Sequence, residues 1–294
     1  FAWWWRDALP GEDGPVEAHV LRLRIVHGMH LTLLLIAFSL DPFKATPQGF
    51  LGAGLNPLLQ TDLMVIHPPL IFLTYSMCLH LTATGLSAAS TGNTDRLGPR
   101  LLVHARPALL VATLGIGLGG LWAYLILDWG GYWAWDPVET GSFLPWLALA
   151  MMVHLRTRPG KTPDHVWVGG AVLTGVLSLF ATTVTRAGGV WASSIHTFVT
   201  NDGGTPPKDV FGRLLELRVD AAATEVMTYV VWMFVLLGTW LALFRRDRYG
   251  LSFSSRAPWY LALPALTAFV GWLFMAGGFA GLSWLVVSGV VFLV

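Results

Sequence analysis

Long apolar stretches separated by short polar loops run along the chain from about residue 20 onward. A helix crosses a bilayer with about 20 mostly apolar residues. Two of the stretches, 64–88 and 107–127, contain no charged side chain, and a charge at the centre of a membrane is costly. The pattern predicts membrane-crossing helices at 20–40, 64–88, 107–127, 142–156, 165–185, 223–244, 257–277 and 280–294. We therefore expect an all-α fold, a polytopic transmembrane helix bundle that forms one domain over residues 1–294 and is part of a longer protein.

Basic residues concentrate in alternate loops of this pattern. Arginine and lysine occur at 22–24, 96–106, 156–161 and 245–256, whereas the loops 41–63 and 128–141 contain a single lysine between them. Loops rich in arginine and lysine stay in the cytoplasm. The loops 41–63, 128–141 and 186–222 are therefore predicted to face outward. In a bacterial cytoplasmic (inner) membrane this is the side of the periplasm or exterior.

Composition supports the same class. The chain has 54% hydrophobic and 12% charged residues, whereas soluble domains have about 25% charged residues. Membrane lipid is thus an expected partner, and the formal net charge of +1 gives no indication of nucleic-acid binding. Cys78 is the only cysteine, so this chain alone cannot form an intramolecular disulfide.

The outward loop 128–142 contains the most informative motif. Its residues 129–139 read WGGYWAWDPVE, which places four aromatic rings and two carboxylates in eleven residues. An aromatic platform at a membrane surface suits a large, planar, apolar ligand. Asp136 and Glu139 are spaced i, i+3, which suits either a cap for the following helix or a contact with that ligand.

Two histidines are predicted to lie on the same outer side. Pro68 disfavours helical backbone at the residue before it, so we expect His67 just outside the membrane span and Pro69 at the start of the helix. His196 follows the outer end of the segment 165–185. Because two neutral imidazoles can ligate heme iron from opposite faces, the pattern predicts a heme site beside the aromatic loop.

Other histidines divide by their depth in the predicted spans. His154 lies in a short apolar span, and His80 lies at a comparable depth. If His154 ligates a metal centre within the membrane, His80 is one possible second ligand. His104 and His165 are near cytoplasmic boundaries and are expected to be solvated.

The motifs together resemble a known family. The segment 55–60 (LNPLLQ), His67-Pro68-Pro69-Leu70 and the segment 129–146 (WGGYWAWDPVETGSFLPW) are similar to the CcmF heme lyases of bacterial cytochrome c maturation. These belong to a heme-handling group with a tryptophan-rich WWD loop. The resemblance covers roughly residues 20–200. Related CcsA-type proteins usually continue the loop as WDPKE, whereas residues 135–139 read WDPVE, as in CcmF.

The resemblance implies two hemes. His67 and His196 would ligate the heme that is to be attached, and His154 would be one of two ligands of a resident, membrane-embedded heme b. The second ligand of heme b is expected after about residue 222, where the family pattern is not evident, so that ligand and the role of the later residues are left unassigned.

The resemblance also gives the loop a role. Tyr132 stands where tryptophan is common, which keeps an aromatic surface at that position. Arg186 is a candidate partner for a heme propionate, with ordinary solvation in the loop 186–222 as the alternative. The positions that would hold the edge of the transferred heme during the reaction are Trp129, Trp133, Trp135 and Asp136.

The implied activity is that of a heme lyase acting within a complex. Because the chain has no outward thiol, both cysteines that add to heme must belong to a CxxCH segment of the substrate, apocytochrome c. A heme chaperone and a thiol-reducing protein that handles the apocytochrome are the other implied partners. A heme exporter or sensor, and a heme-b membrane subunit that relays electrons, remain the alternatives.

Overall fold

The computed structural model describes residues 16–39, 45, 48–49, 57–127, 130–157, 159–191 and 221–249. These ranges contain α-helices and short 3-10 turns and no strand, which confirms the all-α prediction. The helices are α1 (Val16–Ser39), α2 (Leu63–Thr91), α3 (Leu97–Ile126), α4 (Pro137–His154), α5 (Asp164–Trp191) and α6 (Ala221–Tyr249). The predicted spans 257–277 and 280–294 lie outside the described residues.

Four of the described helical segments are long and apolar enough to cross a membrane. They are Leu63–Thr91, Leu97–Ile126, Pro137–Thr157 and Asp164–Arg186. The helix α6 contains a shorter apolar segment, Thr228–Phe244, and α1 covers the first predicted stretch. The chain is therefore a multi-pass membrane protein, as its hydrophobic pattern predicts.

Small residues bring the central helices close together. The helices α2 and α5 approach at Gly85, where an added Cβ would lie 3.0 Å from the Cβ of Ala171. At the same interface the Thr82 hydroxyl donates to the Ala171 carbonyl at 2.8 Å. Within lipid, helices associate through this kind of close van der Waals packing and interhelical hydrogen bonding rather than through the hydrophobic effect. The α2–α5 contact, with α3 against α2 and α4 against α5, forms the framework of the bundle.

The helix α2 begins earlier than its prolines suggest. His67, Pro68 and Pro69 all lie inside it, so the prediction of His67 outside the helix is wrong. The first turn closes before the prolines, through the bonds from the amides of Met64 and Val65 to the carbonyls of residues 61 and 62. The residue before a proline only prefers extended backbone, and tertiary contacts can override this preference. In membrane helices, neighbouring helices or water can satisfy the backbone groups that a proline leaves without a partner.

A histidine pair in the bundle also differs from the prediction. The rings of His80 and His104 are 4.9 Å apart between centroids with their planes at 70°, and both side chains are buried. The expected solvation of His104 is therefore wrong. The reason is that α3 begins at Leu97, which places His104 two turns inside the helix and against α2. His80 thus packs against His104.

The helix α5 is longer than predicted at its C-terminal end. It continues through Arg186 to Trp191, so Arg186 is a helix residue instead of the first residue of a loop. Hydroxyls of the preceding turns, such as Thr185 donating to the Ala181 carbonyl at 3.0 Å, bond within the helix. A long arginine side chain can extend from such a helix end to the membrane interface.

Candidate functional site

The aromatic loop is fixed to the start of α4 by a capping box. The Asp136 carboxylate accepts from the Val138 amide at 2.9 Å, and the Glu139 carboxylate accepts from the Asp136 amide at 3.3 Å. Pro137 occupies the first turn, where its missing N–H leaves no bond unmade. Of the two alternatives for Asp136 and Glu139, the structure supports helix capping.

The same cap controls the backbone of Trp135. This residue has φ +58°, a left-handed conformation that costs roughly 1–2 kcal/mol for a residue other than glycine. The Glu139 carboxylate also accepts from the Ala134 amide at 3.1 Å, so it binds the amides on both sides of Trp135. The side chain of Trp135 is 67% exposed.

The loop also rests on α3. The ring of Tyr132 stacks on that of Tyr124, with centroids 4.5 Å apart and planes 13° from parallel. Beneath it, a Cβ on Gly120 would come within 2.9 Å of the Tyr132 carbonyl oxygen, so only glycine admits the loop at this distance. Tyr132 therefore anchors the loop to α3.

An open groove lies between α3, the loop and α4, and we call it the aromatic groove. Its cavity has a volume of about 580 Å³, within the range of roughly 300–1,000 Å³ for small-molecule sites. It is lined by Thr113, Ile116 and Gly117 of α3, Trp133 and Trp135 of the loop, and Phe143 and Trp146 of α4.

The rings of the groove support one another. Trp133 meets Trp135 and Phe143 edge-on at 5.9 and 6.0 Å between centroids. Phe143 in turn stacks on Trp146 at 5.2 Å, and the Trp146 indole N–H donates to the Thr113 hydroxyl at 2.9 Å. Aromatic contacts of this kind contribute about 0.5–1.5 kcal/mol each beyond the area they bury. The groove is thus a connected aromatic surface.

His67 lies in a different setting, between α2 and α3. Its Nδ1 is 2.8 Å from the Gly115 carbonyl, and its ring meets Trp122 edge-on at 5.9 Å. Because a carbonyl only accepts, Nδ1 is the nitrogen that donates in this contact. Histidines that ligate metals commonly donate their second nitrogen to a carbonyl or carboxylate in this way, which fixes the tautomer and the ring plane.

The structure does not bring His67 and the aromatic groove to the same face of α3. The imidazole of His67 contacts α3 at Gly115 and Gly119, whereas the groove includes Gly117. At 3.6 residues per turn, Gly117 is rotated by about 200° from Gly115, whereas Ile116 of the groove is only about 60° from Gly119. The two surfaces of α3 are therefore different but adjacent. Trp133 and Trp135 are together in the groove, and His67 is not among the residues that line it.

The remaining predicted residues fall into two groups. His154 is the last residue of α4, at the opposite end of that helix from the loop, where it is exposed and its Nδ1 is 2.7 Å from the Ala150 carbonyl. Arg186 is partly buried on α5. Trp129 and His196 lie outside the described residues.

Sequence reasoning missed the α3 and α4 walls of the groove. Thr113, Gly117 and Phe143 belong to apolar helices, where a hydrophobic pattern does not separate groove residues from lipid-facing ones. The available signal was the glycine-rich run 115–120 (GIGLGG) in a helix that precedes the loop.

A comparison with known proteins now identifies the family. The profile of the family described as Cytochrome C assembly protein matches residues 18–190. The chain belongs to this family. No solved structure matches the chain.

Several curated relatives share the matched region. The chain is 34% identical over 206 residues to the probable cytochrome c-type biogenesis protein NrfE of Escherichia coli, with 69% of this chain and 36% of that protein covered. It is 35% identical over 209 residues to the cytochrome c-type biogenesis protein CcmF of Haemophilus influenzae, covering 68% and 31%. It is 37% identical over 216 residues to the cytochrome c-type biogenesis protein CycK of Rhizobium meliloti, covering 69% and 30%. The chain spans about a third of the length of these relatives.

Proposed function

We propose that this protein acts in cytochrome c maturation as a heme lyase, on the outer face of a bacterial cytoplasmic membrane. The observation that carries the proposal is the aromatic groove, a site large enough for a flat apolar ligand and formed by the WWD loop. The names of the relatives, which are cytochrome c-type biogenesis proteins, support the process.

The chain's own residues would divide the work. The groove rings would hold the porphyrin edge and exclude water, while the capping box keeps Trp135 in its left-handed conformation. His67 would offer Nε2 to the iron of the heme substrate, since its Nδ1 proton is donated to Gly115. His196 is proposed as the opposing ligand because the family resemblance places it there.

The reaction itself is an addition. Each cysteine S–H of a CxxCH segment adds across one vinyl group of heme, so that one C–S bond forms and the proton ends on the neighbouring carbon. No electrons are gained or lost in this step, but the thiols must enter reduced. The histidine of the CxxCH segment must then replace one axial ligand. The proposed partners are accordingly apocytochrome c, a heme chaperone and a thiol-reducing protein.

A heme exporter is the second candidate, and a loop variant separates it from a lyase. Cells carrying Trp133→Ala or Trp135→Ala would be given excess heme outside, and covalent cytochrome c would be measured by heme-stained denaturing gel. A lyase variant should remain deficient, because external heme does not replace the surface that holds the vinyl edge. An exporter variant should be rescued to wild-type amounts.

A control variant on α3 shows whether the effect is specific to the groove. Leu114 is exposed on α3 and is not among the groove residues, so Leu114→Ala should leave covalent cytochrome c near the wild-type amount. Wild-type covalent cytochrome c in both tryptophan variants with added heme would contradict the lyase proposal and favour export.

We also propose that His154 ligates a resident heme b, which would supply a redox centre near the cytoplasmic end of α4. The position is sterically available, because His154 is exposed and only Nδ1 is engaged, by the Ala150 carbonyl. The opposing ligand is not assigned, and an electron-relay subunit without lyase activity is the competing interpretation. His154→Ala should remove one b-type absorbance signal from the purified protein, whereas His165→Ala, an exposed histidine at the same end, should retain it. Full b-type heme in His154→Ala would contradict the assignment.

A further inference from the structure

Trp122 of α3 packs against His67, the proposed iron ligand. Its indole ring meets the imidazole edge-on, with centroids 5.9 Å apart and planes at 86°. The side chain is buried, and its indole N–H donates to the Leu58 carbonyl at 3.1 Å. Because an indole has a single donor, this bond both satisfies the N–H and sets the rotation of the ring. The surface that His67 meets is therefore held in place by a residue outside α2 and α3.

The contacts of His67 with α3 follow one stripe of that helix. The Gly115 carbonyl accepts from Nδ1 at 2.8 Å, a Cβ at Gly119 would lie 2.8 Å from the imidazole, and Trp122 meets the ring edge-on. Positions spaced i, i+4 and i+7 lie on one face of a helix. The carbonyl directs one ring nitrogen, and Gly119 lets the ring approach the backbone. A hydrogen bond through one atom still leaves the ring free to tilt about that atom, and the edge of Trp122 restricts this tilt.

The Leu58 end of this arrangement is connected to the beginning of α2. Leu58 lies in the short 3-10 turn that precedes the helix. The amide of Leu63, the first residue of α2, donates to the Thr61 hydroxyl at 3.4 Å, which joins this segment to the helix. His67 follows in the second turn of α2. Trp122 thus bridges the turn before α2 and a side chain near the start of α2, so the same short segment positions both rings.

We propose that Trp122 is a positioning residue for His67, which holds the imidazole plane in the orientation for iron ligation through its bond to Leu58. The proposal rests on the proposed function, in which His67 ligates the iron of the heme substrate. A ligand performs this task well only if it is held within about 10–20° of the productive orientation. The hydrogen bond to Gly115 and the edge of Trp122 together supply that constraint before heme arrives.

The experiment uses the purified chain in detergent with hemin as the ligand. Trp122→Phe keeps a ring but removes the N–H, and Trp122→Ala removes both. The electron paramagnetic resonance signal of the ferric complex is the main readout, because its g values respond to the plane of an axial imidazole. Trp122→Phe should shift or broaden this signal and lower hemin affinity by about two- to tenfold, the effect of one lost hydrogen bond. Trp122→Ala should have a larger effect on both.

A double-mutant cycle separates positioning from folding. In the His67→Ala background there is no imidazole to orient, so adding Trp122→Phe should change neither hemin affinity nor the resonance signal any further. A tryptophan that merely stabilised the bundle, or that contacted the porphyrin itself, would lower hemin affinity equally in both backgrounds. That result would overturn the inference.

The matched control is Trp167→Phe. Trp167 is also buried, but it packs on Gly98 in the first turn of α3, at the other end of that helix. Its substitution should leave the resonance signal and hemin affinity at the wild-type values. A wild-type signal in both Trp122 variants would overturn this inference and leave the proposed function standing. A wild-type signal in His67→Ala would overturn the ligand role of His67 and this inference with it.

Discussion

Two faces of α3 toward its C-terminal end differ in what they contact. On the α2 side, glycines let the His67 ring pack tightly against the helix, and its Nδ1 donates to the Gly115 carbonyl. On the α4 side, the wall is open at Gly117 and faced by tryptophan and phenylalanine rings. The contrast teaches that a precise polar contact needs a closed surface, whereas capture of a large flat ligand needs an open one. One glycine-rich helix provides both.

The largest expected effect comes from the groove face. Trp133→Ala removes the ring that joins Trp135 to Phe143. If about half of a large aromatic surface contacts the ligand, its loss should cost about 2–3 kcal/mol, or roughly 30- to 150-fold in heme affinity. Titration of the purified variant with hemin measures this directly. Trp133→Phe keeps a ring and should retain most of the affinity, and equal affinities for wild type and Trp133→Ala would place the ligand elsewhere.

A smaller loss of hemin affinity, together with a change in the hemin spectrum, is expected when His67 is replaced. His67→Ala removes a proposed iron ligand and should weaken hemin binding by at least about 10-fold, since loss of a ligand's hydrogen-bond partner alone costs about 10- to 100-fold, and it should shift the hemin spectrum. Added imidazole should partly restore the spectrum. The comparison between faces is sharpened by metal-free protoporphyrin, whose affinity should not change in His67→Ala. A normal hemin spectrum in this variant would show that His67 is not a ligand.

Loss of the cap at the start of α4 should have an intermediate effect, which is on stability. Asp136→Ala removes the cap of α4 and should lower the free energy of unfolding by about 0.5–2 kcal/mol. Asp136→Ser preserves an acceptor and should lose much less. Thermal unfolding monitored by circular dichroism measures both. Equal losses in the two variants would mean that Asp136 contributes through its charge and not through capping.

The smallest effect concerns the hydrogen bond in the groove wall. Trp146→Phe and Thr113→Val each remove one partner of the bond at 2.9 Å. The coupling energy from the double-mutant cycle should be about 0.5–1.5 kcal/mol of unfolding free energy. Additive effects of the two substitutions would indicate that the bond does not hold α3 and α4 together.

The predictions that succeeded rest on local or one-dimensional properties. Membrane-crossing helices follow from uninterrupted apolar length, because lipid offers no partner for backbone polar groups. For Asp136 and Glu139 the sequence left helix capping and a ligand contact open, and the capping that the structure shows is a local feature, since their spacing matches one helical turn. The family could be inferred because the WWD loop and the HPPL motif lie in short continuous segments.

The predictions that failed depend on contacts between distant residues. His67 lies within α2 and contacts Gly115, 48 residues later, and a local bias before proline reveals neither fact. The burial of His104 reflects its contact with His80 on another helix.

By itself, the sequence determined that this chain is a helical membrane protein with an aromatic loop between two apolar helices, because apolar length and a continuous motif are readable along one dimension. Only the tertiary structure decided that the loop closes a groove against Gly117 and that His67 lies on another face of α3. The physical reason is the rotation of each helix about its own axis. Which face a helical residue presents to a neighbour depends on the packing of whole helices, and in an apolar membrane helix the hydrophobic pattern does not mark that face.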